Sequence, residues 1–279
     1  IYLKQDIINI YEVNIFKPFL LIALIFFLLG FIDDLLQLSP FLKLIGQIFL
    51  STLAWQNGLR IESIDLSFFS ASLSNFEFNT LISLLITILW ISGTINSINW
   101  FDGLDGLAAG IACIYFSALF FISLEYNYTL SGLCSISLVG SCLGFLRYNF
   151  FPSRLFMGDC GSYFLGFTIA SLPLIIINSN LYEFQPQSIE ITSINLFFII
   201  FSVPILDMTI VILQRIRLGK SAFHPDNRHI HHRLQISGIS HRSTVLFCYC
   251  ICLWTSILGL ILVNFDKFKL LFLITNVLV

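Results

Sequence analysis

Residues 80–106 read TLISLLITILWISGTINSINWFDGLDG. As far as Ile95 the stretch is apolar, and with its continuation to Ile98 it is long enough to cross a bilayer. About 20 residues rising 1.5 Å each span the hydrocarbon layer as a helix. The run then ends in Asn96, Asn99, Asp102 and Asp105 among glycines, with almost no basic residue nearby. Its apolar part decides the fold class. Its polar end poses the functional question, because two carboxylates at a membrane edge need a positive partner.

The whole chain repeats that apolar theme. It is 57% hydrophobic and 11% charged, against about 25% charged residues in an ordinary soluble domain. Nine hydrophobic segments are expected, at 17–32, 41–57, 80–98, 104–122, 129–147, 161–178, 193–213, 243–263 and from 268 to the end. The fold class is therefore all-α, a polytopic membrane protein with about nine transmembrane helices. A transmembrane barrel would show short alternating segments instead. One stretch breaks the pattern: LRIESIDLSFFSASLSNFEFNT (59–80) is polar and partly alternating, which predicts a short extracytoplasmic β-hairpin or loop. No repeat, low-complexity tract or linker divides residues 1–279, so one domain is expected. The chain starts at Ile1 rather than Met, and is expected to be a piece of a longer protein. The seven cysteines lie in apolar runs and read as structural thiols, Cys248, Cys250 and Cys252 included.

Charge gives the expected sidedness. If the segments alternate, the connections near 33–43, 97–103, 148–160 and 214–242 share one face. That face holds Lys43, Arg147, Arg154, Arg215, Arg217, Lys220, Arg228, Arg233 and Arg242, nine of the 14 basic residues, and so is cytoplasmic by the positive-inside rule. It also collects Asp33, Asp34, Asp102, Asp105, Asp159 and Asp226, while every glutamate falls on the other face.

Four motifs carry the chemistry. In GFIDDLLQLSP (30–40), Asp33 and Asp34 are adjacent at the end of an apolar helix, where the helix dipole disfavours them unless a cation or a shared proton is present. In NSINWFDGLDG (96–106), four oxygen-bearing side chains recur every three residues along one side of a helical turn. Oxygen ligands without Cys or Glu favour a hard ion, Mg²⁺ or Mn²⁺, over zinc. In FFPSRLFMGDCGSYFLGF (150–167), Arg154 and Asp159 flank a turn, and the backbone amides at the helix start are expected to hold phosphate oxygens. In HPDNRHIHHRL (224–234), histidines mixed with Arg228 and Arg233 suit a pyrophosphate better than zinc, because no H-E-x-x-H spacing or cysteine pair accompanies them. His241 reads as surface. Asp207, two turns inside its helix, is left open between a structural bond and the site. Metal, phosphate and membrane on one face point to phosphoryl transfer to or from a lipid.

The order FIDD, NSINWFDGLDGLAAG, LFMGDCGS, HIHHRL resembles the polyprenyl-phosphate N-acetylhexosaminyl-1-phosphate transferase family. The resemblance runs from about residue 17 to 265. It implies transfer of a sugar 1-phosphate from a UDP-N-acetylhexosamine to a polyprenyl phosphate such as undecaprenyl phosphate, with release of UMP. It further implies a bacterial cytoplasmic membrane, an active site on the cytoplasmic face, and ten or eleven helices in a whole member, so one or two would precede this chain. Carried residue by residue, it makes Asp33, Asp34, Asp102, Asp105, His229 and His232 catalytic, Asp33 being the choice for base or nucleophile. Lys43, Asn96, Asn99, Arg154, His231, Arg228 and Arg233 become substrate-binding, and Asp159, Asp34 and Asn99 the ligands of Mg²⁺. A homodimer is the assembly it suggests, and no nucleic-acid partner is expected. HIHHRL resembles the enzymes that start O-antigen or teichoic acid synthesis more than the muramoyl-pentapeptide transferases, which stay as the alternative.

Two rivals fare worse on the residues. A CDP-alcohol phosphotransferase needs an arginine where Ala109 stands, and further spaced acids after it. An ion-coupled transporter keeps its acids near the bilayer midplane, whereas these cluster at the edge.

Overall fold

The computed structural model describes residues 10–65, 75–182, 194–221 and 228–264. They form helices α1 (Ile10–Leu36), α2 (Pro40–Gln56), α3 (Thr80–Phe101), α4 (Leu107–Glu125), α5 (Thr129–Asn149) and α6 (Gly158–Tyr182). There follow α7 (Ile194–Ile200), α8 (Ser202–Arg217), α9 (Ile230–Ile236) and α10 (His241–Asn264). Strands β1 (Ser63–Asp65) and β2 (Asn75–Glu77) pair antiparallel, with Ile64 opposite Phe76. This is the hairpin expected between 59 and 80; its middle, 66–74, lies outside the described residues.

Among the described residues six helices, α1, α3, α4, α5, α6 and α10, are long and apolar enough to cross a membrane, and the pair α7 and α8 makes a seventh if read as one span. That is fewer than the nine expected. Segment 41–57 folds as α2, a 17-residue helix about 26 Å long, at the short end of the range for a span, and is not among the six. The segment from 268 lies outside the described residues. The chain is a multi-pass membrane protein.

Proline explains the break between α7 and α8, which are bent by 78°. Pro204 has no amide to give the carbonyl of Ile200, four residues back, and its ring crowds that carbonyl. In lipid an orphaned carbonyl is costly. Thr255 of α10 supplies the missing donor, its hydroxyl bonding Ile200 O at 3.2 Å. The bend thus turns α8 aside without stranding its backbone.

Central α6 is the most enclosed span, packed by α1 and α3. Glycines set how close these helices come. A Cβ on Gly30 would stand 2.3 Å from the Asp159 carbonyl oxygen, and one on Gly166 would stand 2.6 Å from the Ile95 Cα. Phe26 stacks on Phe167 at 4.8 Å between α1 and α6.

Helix α2 is inverted relative to a soluble helix. Phe41, Leu42, Ile45, Ile48 and Phe49 point outward, while Gln47 and Ser51 are buried and Lys43 is half-buried. Lys43, Gln47 and Ser51 are four apart, so they line one face and carry polar atoms into the bundle. Ser39 caps the helix, its Oγ accepting from Leu42 N, and Pro40 starts it at a position where no amide is needed.

Candidate active site

The C-terminal ends of α1, α3 and α5 meet the N-terminal ends of α2, α4, α6 and α10 at one end of the bundle. The acids of the sequence motifs gather there.

Asp33 is buried, 2% exposed, and its carboxylate is fully engaged. Lys43 Nζ lies 2.6 Å from Oδ2, Tyr163 OH donates to the same oxygen at 3.0 Å, and Leu38 N donates to Oδ1 at 3.0 Å. Lys43 is thus the cation that an acid at this helix C-terminus requires. Its ammonium also donates to Asp159 Oδ2 at 3.2 Å. The other oxygen of Asp159 accepts from Asn99 Nδ2 at 2.6 Å, and Asn99 Nδ2 is also 3.0 Å from Ser162 Oγ. Asn96 pairs with Gln47 of α2, Nδ2 to Oε1 at 2.6 Å. Asp33, Lys43, Asp159 and Asn99 therefore form one chain of charge-assisted bonds across α1, α2, α6 and α3.

Asp34 points the other way and caps α6. Its oxygens accept from Asp159 N at 2.8 Å and Cys160 N at 3.0 Å. The helix start expected to hold phosphate oxygens is accordingly occupied by a carboxylate of the chain itself. Gly158 makes this possible, since it lies at φ +69° and a Cβ there would stand 2.6 Å from Asp34 Oδ2.

The turn between α3 and α4 carries Asp102 and Asp105. Burial first, then the carboxylates of Asp159, Asp34 and Asp105, push the Asp102 carboxyl up to about 7. Asp105 instead anchors the next loop, Oδ2 accepting from Ser153 N at 3.0 Å. Three residues missed in the sequence hold this turn. Asn149 Oδ1 accepts from Gly106 N at 3.0 Å, Tyr249 OH donates to Gly106 O, and His241 Nε2 lies 3.4 Å from Asp105 O while its ring stacks on Phe151. His241 is therefore part of the support and not simple surface. Gly106 caps α4 at φ +82°, a conformation that favours glycine.

The histidine loop packs on the end of α3. His229 precedes α9 and meets Trp100 edge to face at 5.1 Å, with the Arg215 guanidinium 4.8 Å from the Trp100 ring centre. Asp207 binds His229 Nδ1 at 2.7 Å, so the open reading of Asp207 resolves to this loop. His231 is fully buried beside Phe101, and both its ring nitrogens lack a hydrogen-bond partner. Burial first, then His232 and His229, push it down to about 3, which makes it a neutral packing ring. Its Nε2 stands 3.1 Å from where a Gly103 Cβ would be, which is the close approach Gly103 permits. His232 and Arg228 are half-buried, Arg154 and Arg233 exposed. Residues 224–227 of this motif, Asp226 among them, lie outside the described residues.

A cavity of about 320 Å³ opens at the opposite end of the bundle, lined by Trp55, Arg60, Glu62 and Phe78. It holds the Arg60–Glu62 ion pair and none of the clustered acids, so the chemistry is assigned to the carboxylate end.

Among the described residues no three His, Cys, Asp or Glu side chains are grouped closely enough to hold a metal. The donor chemistry nonetheless fits a hard divalent cation. Asp34, Asp102, Asp159 and Asn99 offer only oxygen, and Asp102 is a half-buried carboxyl acted on by three others.

Residues 16–177 match the sequence pattern of the family described as Glycosyl transferase family 4. The chain belongs to this family. Similar members of known description include a probable undecaprenyl-phosphate N-acetylglucosaminyl 1-phosphate transferase of Bacillus subtilis, 38% identical over 252 residues, covering 90% of this chain and 67% of that protein. A decaprenyl-phosphate N-acetylglucosaminephosphotransferase of Mycobacterium leprae is 33% identical over 242 residues, covering 83% and 60%. A phospho-N-acetylmuramoyl-pentapeptide-transferase of Halalkalibacterium halodurans is 32% identical over 253 residues, covering 87% and 73%. This glycosyl transferase family 4 chain thus spans about three fifths to three quarters of these relatives' lengths.

Proposed function

We propose that this chain transfers N-acetylhexosamine 1-phosphate, GlcNAc 1-phosphate first, from a UDP-sugar to a polyprenyl phosphate such as undecaprenyl phosphate, releasing UMP. The observation that carries the proposal is the Asp33–Lys43–Asp159–Asn99 chain, beside Asp34 and Asp102, at one end of a membrane bundle. Two phosphate-bearing substrates, one of them lipid, need positive charge and positioned donors at that place. The 38% identity to a protein described as a GlcNAc 1-phosphate transferase supports the donor.

In this reading the acceptor phosphate displaces the Lys43 ammonium from Asp33, exchanging one anion for another on the same cation. Asp33, relieved of that ion pair, then acts as base or nucleophile. Asn99 and Ser162 hold Asp159, and the turn pinned by Asn149 and Tyr249 holds Asp102 and Asp105 toward the donor diphosphate. His232, Arg228 and Arg233 bind the diphosphate from the other side, and His229 faces the same substrates. Mg²⁺, held by Asp159, Asp34 and Asn99, would neutralise phosphate charge and favour the departing UMP. The face is cytoplasmic in the bacterial inner membrane, on the strength of nine of the 14 basic residues assigned to it. A product of this kind starts a cell-envelope polysaccharide.

Supplying the full-length protein with undecaprenyl phosphate, Mg²⁺ and either UDP-GlcNAc or UDP-N-acetylmuramoyl-pentapeptide tests the donor. Mass spectrometry of the extracted lipid should find GlcNAc linked through a diphosphate. Product from the peptide-bearing donor alone would move the chain to the muramoyl-pentapeptide alternative.

A further inference from the structure

The sequence singled out Asp207 without giving it a role, and the transfer reaction as drawn above does not use it. It lies in α8 beyond the 78° bend, 22 residues before His229, and both its oxygens reach the start of α9. Oδ1 accepts from Ile230 N at 2.8 Å and Oδ2 is 2.7 Å from His229 Nδ1. The two side chains are 11% and 7% exposed, so water does not compete freely for either bond.

The two bonds do different things. The bond to Ile230 N only clips α9 to α8, and any acceptor would serve. The bond to the ring does more, because a carboxylate accepts and cannot donate, so Nδ1 must carry the proton. Nε2 is then the nitrogen left for a ligand, and it belongs to a ring held against Trp100, next in sequence to Asn99 and two before Asp102. We propose that Asp207 is a positioning residue that fixes the tautomer and orientation of His229, so that the histidine loop presents the Nε2 lone pair to the site, where it accepts from a substrate O–H, the phosphate oxygens being left to donors. The inference rests on the transfer reaction proposed above. It assigns a role to one loop histidine that the buried, unpartnered His231 does not share.

Asp207→Asn separates the clip from the tautomer. The amide oxygen still accepts from Ile230 N, while its NH₂ faces Nδ1 and demands an acceptor there. The full-length protein, labelled with ¹⁵N-histidine, is compared as wild type, Asp207→Asn, Asp207→Glu, His229→Gln and the Asp207→Asn/His229→Gln double variant. His229→Gln assigns the ring signal. The wild type and Asp207→Glu should show His229 protonated at Nδ1, and Asp207→Asn should show it protonated at Nε2. In UMP release, kcat for Asp207→Asn should fall about 10–100-fold, the range for losing a carboxylate that orients a metal-bound histidine, with KM little changed. Asp207→Glu should recover most of that loss, and the double variant should be no slower than His229→Gln alone. A wild-type His229 protonated at Nε2, or single losses that multiply in the double variant, would overturn the proposal. Should the wild type release no UMP from any donor, the transfer reading fails, and the tautomer comparison still decides whether Asp207 sets the ring.

Discussion

Lys43 Nζ stands 2.6 Å from Asp33 Oδ2, joining the start of α2 to the end of α1, and Asp33 is almost wholly buried. Removing one partner of such a pair strands a charge away from water, which costs about 3–5 kcal/mol, whereas removing both costs far less. Lys43→Met should therefore lower thermal stability clearly. Lys43→Met combined with Asp33→Asn should restore much of it and leave UMP release abolished. Thermal unfolding alongside the activity assay checks this. If the double variant regained turnover, neither residue would belong to the machinery.

Asp34 acts through α6. Capping carboxylates contribute about 0.5–2 kcal/mol, so Asp34→Ala should destabilise by that order and release the amides of Asp159 and Cys160. Asp34→Asn keeps acceptor capacity and should retain more stability than Asp34→Ala while losing activity, if the charge matters to the substrates. Equal activity in Asp34→Asn and wild type would reduce Asp34 to a cap.

The α1–α6 contact has no room beneath the site. Gly30→Ala places a methyl 2.3 Å from backbone at Asp159 and cannot be relieved by a side-chain shift. Overpacking of this kind costs about 1–3 kcal/mol, and here it also moves Asp159 relative to Asp33. Expression, melting temperature and turnover should all drop. Gly140→Ala, where a Cβ meets nothing within 4 Å, is the control and should change none of them.

Asp102 gives the pH dependence. With its carboxyl pushed up to about 7, the folded protein holds a proton there that the unfolded chain has already lost. The stability it contributes is complete below the ordinary carboxylate range and is lost as pH rises through about 7. A divalent cation held beside it by Asp159 and Asp34 disfavours that proton, so apparent cation affinity should fall as pH drops below about 7. Melting temperature against pH, with EDTA and with Mg²⁺, reads both effects. In Asp102→Asn the EDTA curve should flatten.

Periodicity and hydropathy made the membrane helices legible, because each apolar run states its own length. The four motifs were legible too, since glycines and acids stand out against lipid-facing sequence. Pairings across the bundle were not. Lys43 and Asp159 are 116 residues apart, and Tyr249 and Gly106 are 143 apart. The one signal within reach was the four-residue spacing of Lys43, Gln47 and Ser51, polar positions in an otherwise apolar helix, which foretells an inward polar face. The phosphate site assigned to the start of α6 failed because a helix N-terminus looks vacant until the residue that caps it, Asp34, is seen arriving from another helix. The role of Asp207 stayed open for the same reason: its partner, His229, stands just before a different helix.

The central claim is that this membrane face transfers a phosphosugar, and the nucleotide product decides it. With UDP-GlcNAc, undecaprenyl phosphate and Mg²⁺, the full-length protein should release UMP in a one-to-one ratio with lipid-linked product, and EDTA should stop it. Release of UDP instead, with the sugar transferred alone, would contradict the account.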